Sequence, residues 1–103
     1  RHFGVMKGQA FEVEAEFTGW AAQYVSERVW SPDQKIIKAG KDRIRLTFTA
    51  TSESELISWL LSFGHEATLH KPQRLTGELQ TTAHQMQNKY AKIPCLSSYA
   101  ADK

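Results

Sequence analysis

Phe11-Glu12-Val13-Glu14-Ala15-Glu16-Phe17 alternates apolar and acidic residues without interruption, and Arg43-Ile44-Arg45-Leu46-Thr47-Phe48-Thr49-Ala50 does the same with basic and hydroxyl residues. Successive side chains of a strand point to opposite faces, so each stretch predicts a strand with one buried and one open face. The buried set of the second is Ile44, Leu46, Phe48 and Ala50. Laid side by side, the two strands set Glu12, Glu14 and Glu16 beside Arg43 and Arg45. Opposite charges on neighbouring strands contribute a few tenths to about 1 kcal/mol per pair. Each strand therefore supplies the charge that the other lacks, which supports a topology in which the two are neighbours.

The segments around them follow from local signals. Thr18-Gly19 offers a turn and an N-cap before a helix from Trp20 to about Trp30, in which Ala21, Tyr24, Val25 and Val29 recur at helical spacing. Pro32 ends it, because a proline disfavours helical geometry at the residue before it. Gln34 to Ala39 predicts a short strand and Gly40-Lys41-Asp42 a hairpin turn into the strand from Arg43 to Ala50. Ser52 and Glu55 have capping-box spacing and open a helix from Glu53 to about Phe63, with Leu56, Ile57, Leu60, Leu61 and Phe63 as its stripe and Gly64 as its left-handed stop. Ala67 to His70 predicts a short strand. Pro72 then starts a last helix on which Leu75, Leu79, Ala83, Met86 and Tyr90 mark one face, with Gly77 weakening it by about 1 kcal/mol relative to alanine. That face either caps its own sandwich or packs on a second copy, and own-core packing is favoured. The order βαββαβ plus a helix places the chain in the α+β class, as a ferredoxin-like sandwich of four strands and two helices with an additional C-terminal helix. Its first and third strands lie together at the sheet centre. Residues 10–91 form the domain, residues 1–9 a linker and residues 92–103 a flexible tail.

Composition agrees with one small core. The chain has 103 residues, 41% of them apolar, and a formal charge of +2, too weak a bias to identify a nucleic-acid or membrane partner. Cys95, the lone cysteine, has no internal disulfide partner and suits a reducing cytoplasm. No apolar run reaches the roughly 18 residues that a membrane span needs. The chain begins without Met, as an internal position of a longer protein or a processed end would.

Catalytic and metal constellations find no support. His2, His65, His70 and His84 lack metal-ligand spacing, no nucleophile elbow or phosphate-cradling glycine loop is present, and Asp33 and Asp42 flank a hairpin rather than a cleft. The sequence implies neither an enzyme nor a cofactor. RNA binding by base stacking on the open sheet face fails on residue type, since Glu12, Glu14, Glu16, Arg43, Arg45, Thr47 and Thr49 provide no aromatic platform. Basic residues cluster in 31–51, where Lys35, Lys38, Lys41, Arg43 and Arg45 face only Asp33 and Asp42. Lysines on an edge hairpin discourage edge-to-edge pairing, which is the plainer explanation, while Lys38, Lys41 and Arg43 stand as candidate phosphate contacts. Two features remain. In Arg28-Val29-Trp30-Ser31-Pro32-Asp33-Gln34 an aromatic, a proline and an amide meet at a helix–strand junction, with Trp30 as a lid on the core. Trp59 lies beyond an already wide stripe, so it either points toward a partner or is absorbed by the core.

Three ordered motifs carry a resemblance: Glu27-Arg28-Val29-Trp30-Ser31-Pro32-Asp33-Gln34, then Leu46-Thr47-Phe48-Thr49, then Ser58-Trp59-Leu60-Leu61-Ser62-Phe63-Gly64. Together they resemble WCX, the C-terminal extension of bacterial WYL-domain transcription regulators, with its R-x-W-H-P-S-Q element, its Thr-Phe strand and its W-[LV]-L-S-[FW]-G helix end. The match runs from residue 3 to about 90, because Phe3-Gly4-Val5 and Lys7-Gly8 look like the link out of a WYL domain. Ser31 stands where the family favours His, and Asp33 where it favours Ser.

The resemblance implies a regulatory and dimerisation module of a homodimeric regulator. The absent winged helix-turn-helix would bind operator DNA, and the WYL domain of the same or the other subunit would contact this module and sense an effector, in some members an oligonucleotide. Arg28, Trp30, Gln34 and Lys35 would then contact the effector or partner domain, with Arg28 as the principal residue and Trp30 and Pro32 holding the junction rigid, while Trp59 would be a candidate interface residue. A guanidinium forks onto either a carboxylate or a phosphate, so Arg28 suits a protein or a nucleic-acid partner. Direct binding of single-stranded nucleic acid or a nucleotide through Arg28 and the 31–51 hairpin is the alternative.

Overall fold

The computed structural model describes residues 9–94. Residues 1–8 of the linker expected over 1–9 and residues 95–103 of the expected tail, Cys95 included, lie outside the described residues. Four strands, β1 (Phe11–Thr18), β2 (Lys35–Gly40), β3 (Arg43–Ala50) and β4 (Ala67–Lys71), alternate with helices α1 (Gly19–Ser26), α2 (Glu53–Leu61) and α3 (Gln73–Ala91), and a single 3-10 turn at Gly64–Glu66 precedes β4. The sheet is antiparallel throughout, in the order β2-β3-β1-β4. This is the ferredoxin-like arrangement, with β1 and β3 at the centre in a register running from Phe11 opposite Ala50 to Thr18 opposite Arg43.

The period-two pattern sorts the faces as expected. Val13, Ala15 and Phe17 of β1 and Ile44, Leu46, Phe48 and Ala50 of β3 are buried beneath the helices with Ala21, Val25, Leu56, Leu60, Phe63, Leu69 and Leu75. Phe17 is central, its ring edge-on to Trp59 at 5.5 Å and to Phe63 at 5.3 Å. Burying such a side chain stabilises the fold by roughly 1.5–3 kcal/mol.

Three local expectations change. Thr18 stands at the N-cap of α1, yet its hydroxyl donates to the Glu66 carboxylate and ties the helix start to the 3-10 turn instead of capping its own helix. Gly19 makes this possible: its φ is +54°, and a Cβ there would sit 3.0 Å from the Glu66 carboxylate oxygens. Second, α1 stops at Ser26 rather than near Trp30, and Val29 is 63% exposed instead of facing the core. Third, own-core packing of the last helix holds only for its first turns. Leu75 is buried and Leu79 rests on the core, but Ala83, Met86 and Tyr90 are exposed. The reason is length: a helix of 19 residues runs about 28 Å, whereas the neighbouring strand of five residues offers about 17 Å.

The α2 start behaves as its sequence indicates, with Ser52 Oγ accepting the Glu55 N–H at 3.2 Å. Gly64, with φ +61°, takes the left-handed position that follows the helix. Arg74 of α3 reaches Glu53 of α2 at 2.5 Å, joining the two helix starts.

Candidate functional site

The Arg28–Gln34 segment is built from its own polar atoms. Gln34 Oε1 accepts the N–H groups of Trp30 at 2.5 Å and Ser31 at 3.2 Å, and Gln34 Nε2 donates to the Arg28 carbonyl at 3.1 Å. The same stretch caps α1. Trp30 Nε1 donates to the Val25 carbonyl at 3.0 Å and the Arg28 guanidinium to the Tyr24 carbonyl at 3.0 Å, while Ser26, the last residue of α1 itself, donates through Oγ to the Gln23 carbonyl at 3.0 Å. The last carbonyls of a helix lack intrahelical partners, and a cation there also meets the negative end of the dipole. This explains the early stop of α1. The residues read as its continuation serve as its cap.

The two departures from the family pattern answer each other. Ser31, buried, donates to Asp33 Oδ1 at 2.7 Å, while Thr49 of β3 donates to Asp33 through its N–H at 3.2 Å and its hydroxyl at 2.7 Å. Hydrogen bonds from Ser31, then from Thr49, hold the Asp33 carboxyl below the usual carboxylate range.

Beside this loop, α1 and α2 leave an aromatic groove of about 330 Å3 lined by Trp20, Tyr24, Trp30, Trp59, Ser62 and Phe63. Trp30 is 9% exposed and forms its floor, while Trp59 is half-buried and forms a wall, packed on Trp30 at 4.8 Å and on Phe63 at 5.3 Å. Trp59 is thus absorbed at the margin of the core, with the groove open beside it. The exposed surface comes from Trp20, 56% accessible, and Tyr24, residues that sequence reading did not single out as contacts. Their spacing of four on α1 was the available signal. Arg28 lies at the rim, its guanidinium 3.7 Å from the Tyr24 ring centroid, a cation–π stack that leaves nearly half of the side chain open.

The expected contact residues therefore do not form one site. Trp30 and Trp59 line the aromatic groove, and Arg28 adjoins it by stacking on Tyr24. Gln34, half-buried, is hydrogen-bonded inside the loop and staples it. Lys35 pairs opposite Thr47 on the open face, where it lines a separate hollow with Glu12, Asp33 and Thr49. Lys38 and Arg43 line a third hollow of about 230 Å3 beside Gln23 and Ser26 of α1, and Lys41 is exposed in the hairpin turn.

The open face carries the expected charge lattice at Glu14 and Glu16, whereas the register sets Glu12 opposite Thr49 rather than beside an arginine. Arg45 reaches Glu14 at 2.6 Å and Glu16 at 3.5 Å, Arg43 reaches Glu16 at 2.9 Å, and His70 and Lys71 of β4 lie 3.1 Å from Glu16 and 3.8 Å from Glu14. Partial burial opposes ionisation of Glu16, but the His70 hydrogen bond and the charges of Arg43, His70 and Arg45 outweigh it and lower its pKa. Arg43 is thereby engaged by a carboxylate, which weakens its candidacy as a phosphate contact.

No helix among the described residues is long and apolar enough to cross a membrane. Comparison with curated proteins gives no match. The family model of the WCX domain matches residues 9–87, from just before β1 into the exposed half of α3. The match takes in the capped loop, the aromatic groove and the charge lattice together, and the chain belongs to the WCX family of regulatory domains.

Proposed function

We propose that this chain is the non-catalytic regulatory and dimerisation module of a homodimeric, cytoplasmic winged helix-turn-helix regulator with a WYL domain. Its aromatic groove and Arg28 contact the WYL domain of the same or the partner subunit, and operator DNA is bound by the parent's winged helix. The observation that carries this reading is the groove: Trp20 and Tyr24 lie exposed beside a stacked, half-open guanidinium. Aromatic side chains and arginine are the residues most enriched where protein surfaces meet, and an anchor side chain entering the groove would bury both rings. The WCX match supports a regulatory module.

The alternative, nucleic-acid effector binding through Arg28 and the hairpin, draws on the exposure of Lys35, Lys38 and Lys41. It is disfavoured by the engagement of Arg43 and Arg45 with Glu16 and Glu14, carboxylates that repel phosphate. In gel shifts the 103-residue chain is expected to bind the parent's operator no better than a scrambled duplex, and a sequence-specific shift would overturn the assignment. Titrating the chain with the separately prepared WYL domain should quench Trp20 fluorescence, and Arg28→Ala and Trp20→Ala should each weaken binding about tenfold or more. Oligonucleotide binding that falls steeply between about 50 and 200 mM salt would favour the effector alternative.

A further inference from the structure

The exposed half of α3 has a pattern that the fold does not use. Counted at about 100° per residue, Leu79, Ala83, Met86 and Tyr90 fall within an arc of about 60°, and Met86 and Tyr90 are 48% and 68% exposed. Leu79 and Ala83 also line a groove of about 430 Å3 together with Leu60, Leu61 and Leu69, mostly apolar in its walls. The stripe therefore runs without a break from the foot of the domain out along the free helix.

We infer that α3 pairs antiparallel with α3 of a second copy, about a two-fold axis between His84 and Gln85. A two-fold there sets Leu79 opposite Tyr90 of the second copy and Ala83 opposite its Met86, so that each large side chain meets a smaller one and the second Tyr90 ring is directed to the groove beside Leu79. The flanks decide in favour of this arrangement. Glu78 and Lys89 both lie about 80 to 100° to one side of the stripe, and Gln80 and Gln87 lie at about the same angle on the other. A two-fold perpendicular to antiparallel helices keeps each flank on its own side. Glu78 therefore comes beside Lys89 of the second copy, and Gln80 beside its Gln87, each twice. An isologous interface needs this kind of self-complementarity, and a helix facing an unrelated partner does not. A parallel pair, related by a two-fold along the helices, would swap the flanks, set Glu78 against the Gln80 side of the second copy and lose the match. The inference rests on the dimerisation reading above and names the surface that performs it.

The test is sedimentation equilibrium of the 103-residue chain in reducing buffer, which keeps Cys95 out of the association, at up to about 500 µM because the interface is at the small end of specific ones. A reversible dimer is expected. Met86→Glu and Tyr90→Glu should each weaken it at least about tenfold, with circular dichroism unchanged because both side chains are exposed. Glu78→Lys should weaken it several-fold, and adding Lys89→Glu to that variant should restore it, since the reversed pairs are again opposite in sign. A monomer throughout the range would overturn the pairing and dimerisation by this module alike. A dimer that survives both Met86→Glu and Tyr90→Glu would overturn the α3 pairing while leaving dimerisation by another surface standing, and failure of Lys89→Glu to rescue would overturn the antiparallel register.

Discussion

The amide of Gln34 holds two backbone N–H groups and one carbonyl of the segment that turns α1 toward β2. Removing one partner of a bond leaves the other to be satisfied by water or not at all, and such losses cost about 1 kcal/mol each. Gln34→Ala should therefore lower the unfolding free energy by about 1–3 kcal/mol, measured by urea denaturation with tryptophan fluorescence. A change below about 0.5 kcal/mol would show that the loop does not depend on this side chain. At this scale the sequence displays residue type but not hydrogen-bond partners. Arg28, Trp30 and Gln34 stood out because an arginine, an indole and an amide beside a proline suit recognition. The structure adds that the Gln34 amide and the Trp30 indole turn inward onto backbone atoms that no residue pattern displays.

Among the elements, β1, β3 and the start of α2 follow from their own residues, because strand alternation and an N-cap are satisfied within a few positions. α3 differs in that its stripe is continuous in sequence but supported by the fold only through Leu79. Gly77 lies on the opposite side of this helix, and a Cβ there would meet no atom within 4 Å. Gly77→Ala should stabilise the chain by about 0.5–1 kcal/mol, because alanine loses less backbone entropy in a helix and nothing opposes the added methyl. A thermal melt checks this, with a rise of roughly 2–8 °C expected for a domain of this size. An unchanged or lower midpoint would mean that the middle of α3 does not contribute to the cooperative unit.

Across the whole molecule, among the carboxylates that join segments distant in sequence, Glu16 connects β1 with β3 and β4, and Asp33 ties the loop after α1 to β3. Both have lowered pKa values in the folded state. A depressed carboxylate contributes stability that is fully present above its unfolded pKa of about 4, and this is lost as pH falls through the lower folded value. The urea midpoint should thus drop between about pH 5 and pH 3, and the double variant Glu16→Gln, Asp33→Asn should drop less over that interval while starting lower at neutral pH. Equal pH slopes for the two chains would show that other groups govern acid stability. From the sequence alone came the α+β class, the β1–β3 partnership with its charge lattice, the buried face of each strand and the family resemblance. These rest on periodicity and on pairs of complementary residues, which are properties of order along the chain. Tertiary structure alone decided that α1 ends early, that Trp20 and Tyr24 form the open part of an aromatic groove, and that α3 overruns the sheet. Each depends on where a neighbouring element ends and on which atoms a side chain reaches across space, and linear spacing carries neither.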